Sequence, residues 1–225
     1  MGHGDRGYKV ISVQKISYDE AHPWILHKHY AKRIPNIQYA YGLFEDRVLV
    51  GVVTFGVSAS NTLCGGLCGD EFKHQVLELN RLCVESDIKN SASILVARSM
   101  KLLPTETIVV SYADTSMGHI GYVYQATNFI YTGLSAKRTD RYDPVRPNRH
   151  PRTVGRKYAS SLSMNYNDLP IRERPRKHRY VYFIGPTRWK KKMRKKLNYK
   201  EQPYPKGDTS RYDDTYQPKV QMVMF

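Results

Sequence analysis

Four side chains in the first 136 residues can move protons or hold charge from apolar surroundings: Arg81, Asp114, Tyr124 and His29. Arg81 lies in the apolar run Gln75 to Val84 (QVLELNRLCV), with Glu78 and Asn80. Strict alternation along a strand places Glu78 and Asn80 on one face and Arg81 on the other. A buried arginine needs an anionic partner, which can be a structural carboxylate or the phosphate of a substrate. Asp114 follows a second apolar run. A carboxylate at the carboxyl end of a strand can act as a base or accept a hydrogen bond from a substrate, or it can cap the next helix. Tyr124 can protonate a leaving thiolate or pack in the core. His29, grouped with His27 and Tyr30, can be a general base or a metal ligand. Lys89-Asn90-Ser91-Ala92-Ser93 opens a helix, where free N–H groups attract an anion such as a donor phosphate. Ordinary capping by Asn90 or Ser91 explains the same residues. Cys64-x3-Cys68, with His74 and Cys83, lacks the spacing of a zinc knuckle, so reduced thiols are the preferred reading. No Walker loop, G-x-G-x-x-G, H-E-x-x-H or Ser-His-Asp signature is present.

The elements that must position these residues follow from periodicity. Tyr8 to Val13 reads as a strand. Ser17 opens a helix over Tyr18 to Tyr30 with Glu20 completing a capping box, and Pro23 falls near its first turn. Tyr39 to Glu45 and Arg47 to Gly56 form a hairpin. Asn61 to Gly69, rich in Gly and Cys, reads as a loop. Gln75 to Val84 is a central strand, and a helix runs from Asn90-Ser91 to about Leu103, where Pro104 closes it. Thr107 to Tyr112 is a buried strand, Gly118 to Thr127 a short helix and Phe129 to Leu134 a further strand. The order β-α-β-β-β-α-β-α-β predicts an α/β (α+β) fold with a mixed central sheet flanked by helices, of the acetyltransferase type.

Charge divides the chain. Residues 1–136 hold 12 basic and 12 acidic residues, residues 137–200 hold 21 and 4, and residues 201–225 hold 3 and 4. Nearly all of the net +16 is thus confined to one block. Solubility does not require one sign in one place. A membrane surface would call for an amphipathic basic helix with an apolar face, and the candidate, Thr187 to Leu197, is mostly lysine. Cations that neutralise phosphates, interleaved with tyrosines that can stack on bases, point to nucleic acid. Arg138, Arg141, Arg179, Lys190, Lys191 and Lys192 are the candidate contacts. The division predicts a catalytic core over 1–136, a basic nucleic-acid-binding extension packed on it over 137–200, and a loose tail over 201–225. The extension contains one clear strand, Arg179 to Ile184, and a helix near 187–197. No run reaches the roughly 20 apolar residues of a membrane span and no signal-peptide core follows Met1, so the expected location is cytoplasmic.

The strings Glu78-Leu79-Asn80-Arg81-Leu82, Asn90-Ser91-Ala92-Ser93, Ser111-Tyr112-Ala113-Asp114 and Gly118-His119-x-Gly121-x-x-Tyr124-Gln125-Ala126-Thr127-Asn128-Phe129-x-Tyr131-x-Gly133 together resemble the phage Mom family of DNA-modifying enzymes. So do His29-Tyr30-x-x-Arg33-x-Pro35, Gly51-Val52-Val53-x-Phe55-Gly56 and Lys177-His178-Arg179-Tyr180-Val181-Tyr182-Phe183. The resemblance implies a GNAT-like fold. It implies conversion of adenine in phage DNA, at its exocyclic amine, to a carbamoylmethyl derivative that resists host restriction enzymes. It implies function at Arg81, Ser93 (with Ser91 as the alternative serine), Asp114 and Tyr124, and action in the host cytoplasm. The donor expected by analogy of fold is acetyl-CoA or another acyl or aminoacyl carrier. Iron is associated with the family, and His29, Asp114 and His119 are the residues that can contribute ligands. Ordinary GNAT enzymes hold the CoA pyrophosphate with a glycine-containing loop, whereas Lys89 to Ile94 has no glycine. The amine is buried in a base pair, so the expected substrate is a flipped-out or single-stranded adenine. Two other readings remain open: a non-catalytic nucleic-acid-binding protein, and an N-acetyltransferase of another substrate.

Overall fold

The computed structural model describes residues 10–58, 60–147 and 154–207. Its centre is a seven-stranded sheet in the order β1-β2-β3-β4-β5-β9-β6, formed by β1 (Ile11–Lys15), β2 (Tyr39–Glu45), β3 (Val48–Gly56), β4 (Val76–Val84), β5 (Thr107–Asp114), β6 (Ile130–Leu134) and β9 (Lys177–Ile184). Only β4 and β5 run parallel. β7 (Arg138–Arg141) and β8 (Ile171–Arg174) form a separate two-stranded sheet. The α/β class and the mixed sheet flanked by helices agree with the order of segments in the sequence.

Alternation sends the strand residues to two cores. On one face, Val53, Phe55, Leu77, Leu79 and Val109 pack against Leu95, Val96 and Met100 of α3 (Ser91–Met100), with Tyr124 of α4 (Tyr122–Ala126) at the edge. On the other, Val76, Ile108, Val110, Val181 and Phe183 pack against α2 (Asn61–Cys68) and α6 (Thr187–Lys196), and Ile16, Ala40, Val52 and Cys83 pack against α1 (Tyr18–Pro23) and the residues after it. A short α5 (Arg156–Ser161) lies between β7 and β8 and builds a minor core from Val154, Ala159 and Leu169.

Four elements differ from the sequence reading. The capping box of Ser17 and Glu20 forms as expected. Pro23, however, is the last residue of α1, not part of its first turn, and the chain continues as a π-helical turn, Trp24–Lys28. The segment read as a loop, Asn61 to Gly69, is mostly helix α2. Ser60 accepts a hydrogen bond from the Leu63 amide, and Cys64, Leu67 and Cys68 form a buried stripe. The glycines in it are needed for contact: a Cβ on Gly65 would overlap the carboxylate of Asp70. The basic segment holds more structure than one strand and one helix, namely β7, α5 and β8, and it supplies β9 to the middle of the central sheet. Finally, the part of the expected loose tail that is described, residues 201–207, packs along β6. The Gln202 amide donates to Tyr131 O at 2.9 Å, and Tyr204 Oη donates to Phe129 O at 2.7 Å. Residues 208–225 of that tail, and the start of the expected first strand at Tyr8, lie outside the described residues. Among the described residues no helix is long and apolar enough to cross a membrane.

Gly121 takes a positive φ of 80°, and a Cβ there would overlap the ring of the fully buried Tyr180. Gly121→Ala therefore combines backbone strain with overpacking, and is expected to lower stability by about 1–3 kcal/mol. Urea unfolding checks this, and an unchanged midpoint would show that the Gly121–Tyr180 contact does not matter.

Candidate active site

The site is created where the parallel pair comes apart. β4 and β5 are paired from Val76↔Ile108 to Leu79↔Ser111 and no further. Beyond that point β4 follows β3 as far as Val84↔Gly51, and β5 follows β9 as far as Asp114↔Lys177. This leaves an unpaired cleft between the ends of β4 and β5.

A bulge sharpens the parting. Thr54 pairs with Arg81 and Phe55 with Leu79, which leaves Asn80 as an extra residue on β4. Its side chain is pinned on both sides, accepting from Thr54 Oγ1 at 2.6 Å and donating to Asn36 O at 2.8 Å. Such an insertion shifts the alternation by one. Arg81 therefore shares the face of Cys83 and Glu78, not the face opposite Glu78 as strict alternation predicts. Among the described residues, the structural carboxylate considered as a partner for Arg81 is not the group that binds it; backbone carbonyls are. Nε and Nη2 donate to Arg33 O at 3.2 and 3.0 Å, and Nη1 donates to Asn80 O at 2.6 Å. Carbonyl oxygens orient the guanidinium without cancelling its charge.

Asp114 ends β5 and caps the turn that follows, one of the two roles expected of it, and it also forms an ion pair. Oδ1 caps the turn Thr115–Met117 by accepting from the Ser116 amide at 3.0 Å and Oγ at 2.6 Å, and Oδ2 is bound by Lys177 Nζ at 2.7 Å. Burial pushes its pKa up, but Lys177 and Ser116 outweigh burial and hold it below the usual carboxylate range. It is thus an anionic hydrogen-bond acceptor and a weak base.

His29 is buried at 6% exposure at the end of the π-helical turn. Its Nδ1 accepts from the Ala31 amide at 3.0 Å, which assigns the proton of the neutral ring to Nε2. Burial, then the charge of Arg81 and the neighbouring His119 and Lys177, pushes its pKa down to about 3. A ring so reluctant to take a proton is a poor base but a good neutral donor. Tyr30 stacks on it at 4.3 Å and meets His119 edge-on at 6.0 Å. Burial, then Asp114 and Tyr124, raise the Tyr30 phenol, which places it in the middle of the group. Tyr30 and Lys177 are the residues that the sequence reading did not select. Their only signal was membership of the His29-Tyr30 and Lys177-His178 strings, because the contact of Lys177 with Asp114 spans 63 positions.

Tyr124 stands on the other side of the cleft. Burial pushes its phenol up, opposed by a hydrogen bond with Ser111. Ser111 Oγ in turn donates to Leu79 O at 3.0 Å, the last paired position of β4. The Tyr124 ring packs on Phe129 and Tyr180 at 5.4 and 5.2 Å. Tyr180 Oη donates to Ile120 O, and Gln125 Nε2 donates to Ile120 O, Tyr180 Oη and Pro205 O at 3.2, 3.2 and 3.3 Å. The helix that carries Tyr124 is therefore clasped to β9 and to the C-terminal residues.

The start of α3 is on the same face as Tyr124. Asn90 occupies the N-cap position in the left-handed conformation (φ 65°), with no side-chain cap. Asparagine is one of the few residues other than glycine that visits this region readily, which explains how the turn forms without a glycine. The first-turn amides of Ala92 and Ser93 are left to serve an anion. Ser93 is half-buried, with Oγ on Asn90 O at 2.9 Å. Ser91 is turned inward to Ser86 Oγ and Ile88 O, so the alternative serine has a structural task. Lys89 is exposed beside it.

Other candidates separate. His29, Asp114 and His119 do not fit an iron site. Among the described residues no group of three His, Cys, Asp or Glu side chains is placed to hold a metal, and Asp114 is bound by Lys177. Cys64, Cys68 and Cys83 are buried free thiols, pushed up by burial, to about 11 for Cys68 and about 12 for Cys83. Of the proposed nucleic-acid contacts, Lys190, Lys191, Lys192 and Arg138 are exposed. Arg179 is not: it is buried, its Nε on Thr132 Oγ1 at 2.8 Å, and its guanidinium lies 3.4 Å over Tyr199. Alternation along β9, a central strand, turns it inward. Arg141 is half-buried and held by Asn167 O and Leu169 O at 2.6 and 2.7 Å.

A profile of the Mom protein family matches residues 10–206. The methylcarbamoylase mom of Escherichia phage Mu is 31% identical over 214 residues, covering 89% of this chain and 86% of that protein. Among solved structures, a GNAT-family acetyltransferase of Bacillus cereus aligns with a TM-score of 0.43 at 15% identity, over 79% of this chain and 99% of that one. The ribosomal-protein-S18-alanine N-acetyltransferase of Escherichia coli aligns with a TM-score of 0.44 at 9% identity, over 79% and 96%.

The electrostatics of His29 predict a pH dependence. Its folded pKa lies below its unfolded value, so between about pH 6.5 and pH 3 the unfolded chain binds a proton that the folded chain refuses. Stability from this group is complete above the unfolded value and is lost on acidification. From pH 7 to pH 4.5 the unmodified chain should lose about 2–3 kcal/mol more than His29→Asn. Denaturant unfolding at both pH values decides, and equal losses would show that His29 is not held neutral.

Proposed function

The chain belongs to the Mom protein family, and on that premise we propose that it transfers a small acyl-derived group, of the carbamoylmethyl type, to the exocyclic N6 amine of adenine in DNA. The biological effect would be protection of phage DNA from host restriction. The observation that carries this reading is the cleft between β4 and β5. Beside it lie an anion-ready helix start and Tyr124 on one face and Arg81, Asp114, Tyr30 and His29 on the other.

The donor proposed is acetyl-CoA or a related acyl or aminoacyl carrier. The fit rests on the α3 start, where uncapped amides of Ala92 and Ser93 would hold its phosphates, with Lys89 alongside. Bound there, it would supply the carbon that bonds to the amine; an acetyl group carries no nitrogen, so a carbamoylmethyl product calls for a nitrogen-bearing aminoacyl carrier, whereas acetyl-CoA itself would leave an acetyl group. The acceptor adenine, flipped from the duplex or single-stranded, would enter from the opposite face. Its amine is a weak nucleophile and gains from orientation. Asp114, whose carboxylate is ionised and pinned, accepts a hydrogen bond from the amine, sets its direction, and takes its proton as the carbon–nitrogen bond forms and the nitrogen becomes acidic. Arg81, oriented by backbone carbonyls, stabilises negative charge that develops as the new carbon–nitrogen bond forms. Tyr124, with its phenol protonated far above neutral pH, donates a proton to the departing group. His29 contributes through Nε2–H as a neutral donor. The exposed cations of α6 bind DNA phosphates.

A non-catalytic nucleic-acid-binding role would account for α6. It would leave the clasped Tyr124 and the pinned Asp114 without a purpose.

Mass spectrometry of nucleosides from DNA of cells that express the protein tests the proposal. A new adenine adduct is expected, and Tyr124→Phe should abolish it while DNA binding persists. Unchanged nucleosides with tight DNA binding would favour the binding module. Normal modification by Tyr124→Phe would remove that residue from the mechanism.

A further inference from the structure

The insertion between β6 and β9 has no part in the chemistry above. Its ribbon sets Arg138 directly opposite Arg174, and Asp140 opposite Arg172. Like charges facing each other across a strand pair destabilise it. On that face a single carboxylate, Asp140, answers three guanidinium groups, at 3.7 Å from Arg174. Arg172 is engaged elsewhere, with Nη1 on Pro147 O at 2.7 Å and its plane over Tyr142. Arg138 and Arg174 remain exposed. The opposite face of the ribbon is closed by Arg141, which is held by Asn167 O and Leu169 O beside the minor core.

The ribbon is rooted at the active site. Arg176 Nε donates to Ser135 O at 2.6 Å, the Lys177 amide donates to Ser135 Oγ at 2.9 Å, and Thr115 Oγ1 donates to Arg176 O at 2.6 Å. The next residue on the chain is the Lys177 that binds Asp114. Arg138 also acts electrostatically on Tyr112, which shares the Asp114 face of β5.

The second cationic surface is α6, and it lies at the other end of the sheet. Trp189 and Met193 anchor it, and Trp189 packs against Phe183 and Gly185. Among the described residues, Arg194 and Lys196 form ion pairs with carboxylates and Lys192 acts on Glu71, whereas Arg188, Lys190, Lys191 and Lys195 form no ion pair. The anchoring end is marked by Thr107↔Ile184, and the ribbon root by Asp114↔Lys177. Eight residues of β5 separate the two by about 23 Å.

We propose that the ribbon and α6 are the two ends of one nucleic-acid track on the face of Asp114 and Tyr112. Arg138 and Arg174 hold the phosphates beside the target base, and α6 holds phosphates farther along. This rests on the DNA reading above and assigns it a footprint. About 23 Å corresponds to about seven base-pair steps of duplex.

The test uses the full chain and fluorescein-labelled DNA duplexes of about 6, 12 and 24 base pairs, with binding followed by anisotropy across a salt series. Affinity should rise steeply between the shortest and the middle length. Arg138→Gln/Arg174→Gln should flatten that rise and lower the salt slope on the longest duplex by about 2. It should also cut kcat/KM for modification more than Lys190→Gln/Lys191→Gln/Lys192→Gln does. Arg138→Lys/Arg174→Lys keeps the charges and should restore the slope. A wild-type slope and length dependence in the Gln variant would overturn the proposal. Equal losses in the Lys and Gln variants would do the same, because they would mark a structural role. Failure of the modification reading is a separate result: the unaltered chain would then bind DNA along this track and leave its nucleosides unchanged.

Discussion

The parting of two parallel strands governs this molecule. β4 and β5 pair with each other only as far as Leu79 and Ser111, and beyond that each follows its outer neighbour alone. Backbone groups left at such a gap need partners, because a buried unpaired group costs about 1–3 kcal/mol. Ser111 supplies one by donating to Leu79 O. The bulge at Asn80 relieves the conflict on the β3 side, and its side chain closes the gap with Thr54 and Asn36. The consequence is positional: the shifted alternation puts Arg81 on the face of Glu78 and Cys83, beside the end of the β4–β5 pairing.

Around the cleft the electrostatics are arranged by burial as much as by charge. Arg81 and Lys177 both act on His29, while Lys177 pairs with Asp114 and Glu78 acts on Arg81. Protonation of His29 would add a third cation in a desolvated place, so the ring stays neutral. Asp114 stays ionised because Lys177 and Ser116 offset what burial takes away. The phenols of Tyr30 and Tyr124 are held protonated by the same burial. Two neutral donors, one pinned anion and an oriented guanidinium suit a reaction in which a weak nucleophile must be held and a leaving group protonated.

Much of this was legible in the sequence, and the failures share a cause. Elements with a clear period or cap were readable: the box at Ser17 and Glu20, the hairpin of β2 and β3, and the apolar runs of β4 and β5. Arg81, Asp114 and Tyr124 were singled out because polar groups in or beside apolar runs stand out. What failed depended on partners distant in the chain. The Gly and Cys content of α2 resembles a loop until Asp70, Tyr199 and the sheet are in place around it. The bulge at Asn80 is invisible until β3 pairs with β4. Arg179 reads as one more cation in a basic block, and only its place in a central strand shows it to be buried on Thr132 and Tyr199. Tyr30 and Lys177 acquire meaning from neighbours on other strands.

The division of charge along the chain suggested a neutral core with a basic accessory, and the topology joins them more tightly than that. β9 comes from the basic segment, yet it lies between β5 and β6, and β5 has no other neighbour on that side. Its first residue, Lys177, binds Asp114, and its Tyr180 supports the turn that carries Tyr124. The arginine ribbon is continuous with that strand at Arg176. A strand that completes the sheet, pins a site carboxylate and carries a cationic ribbon cannot change position in one respect without the others. Only Pro175 and Arg176, held by the bonds to Ser135 and Thr115, separate the ribbon from Lys177 and its contact with Asp114.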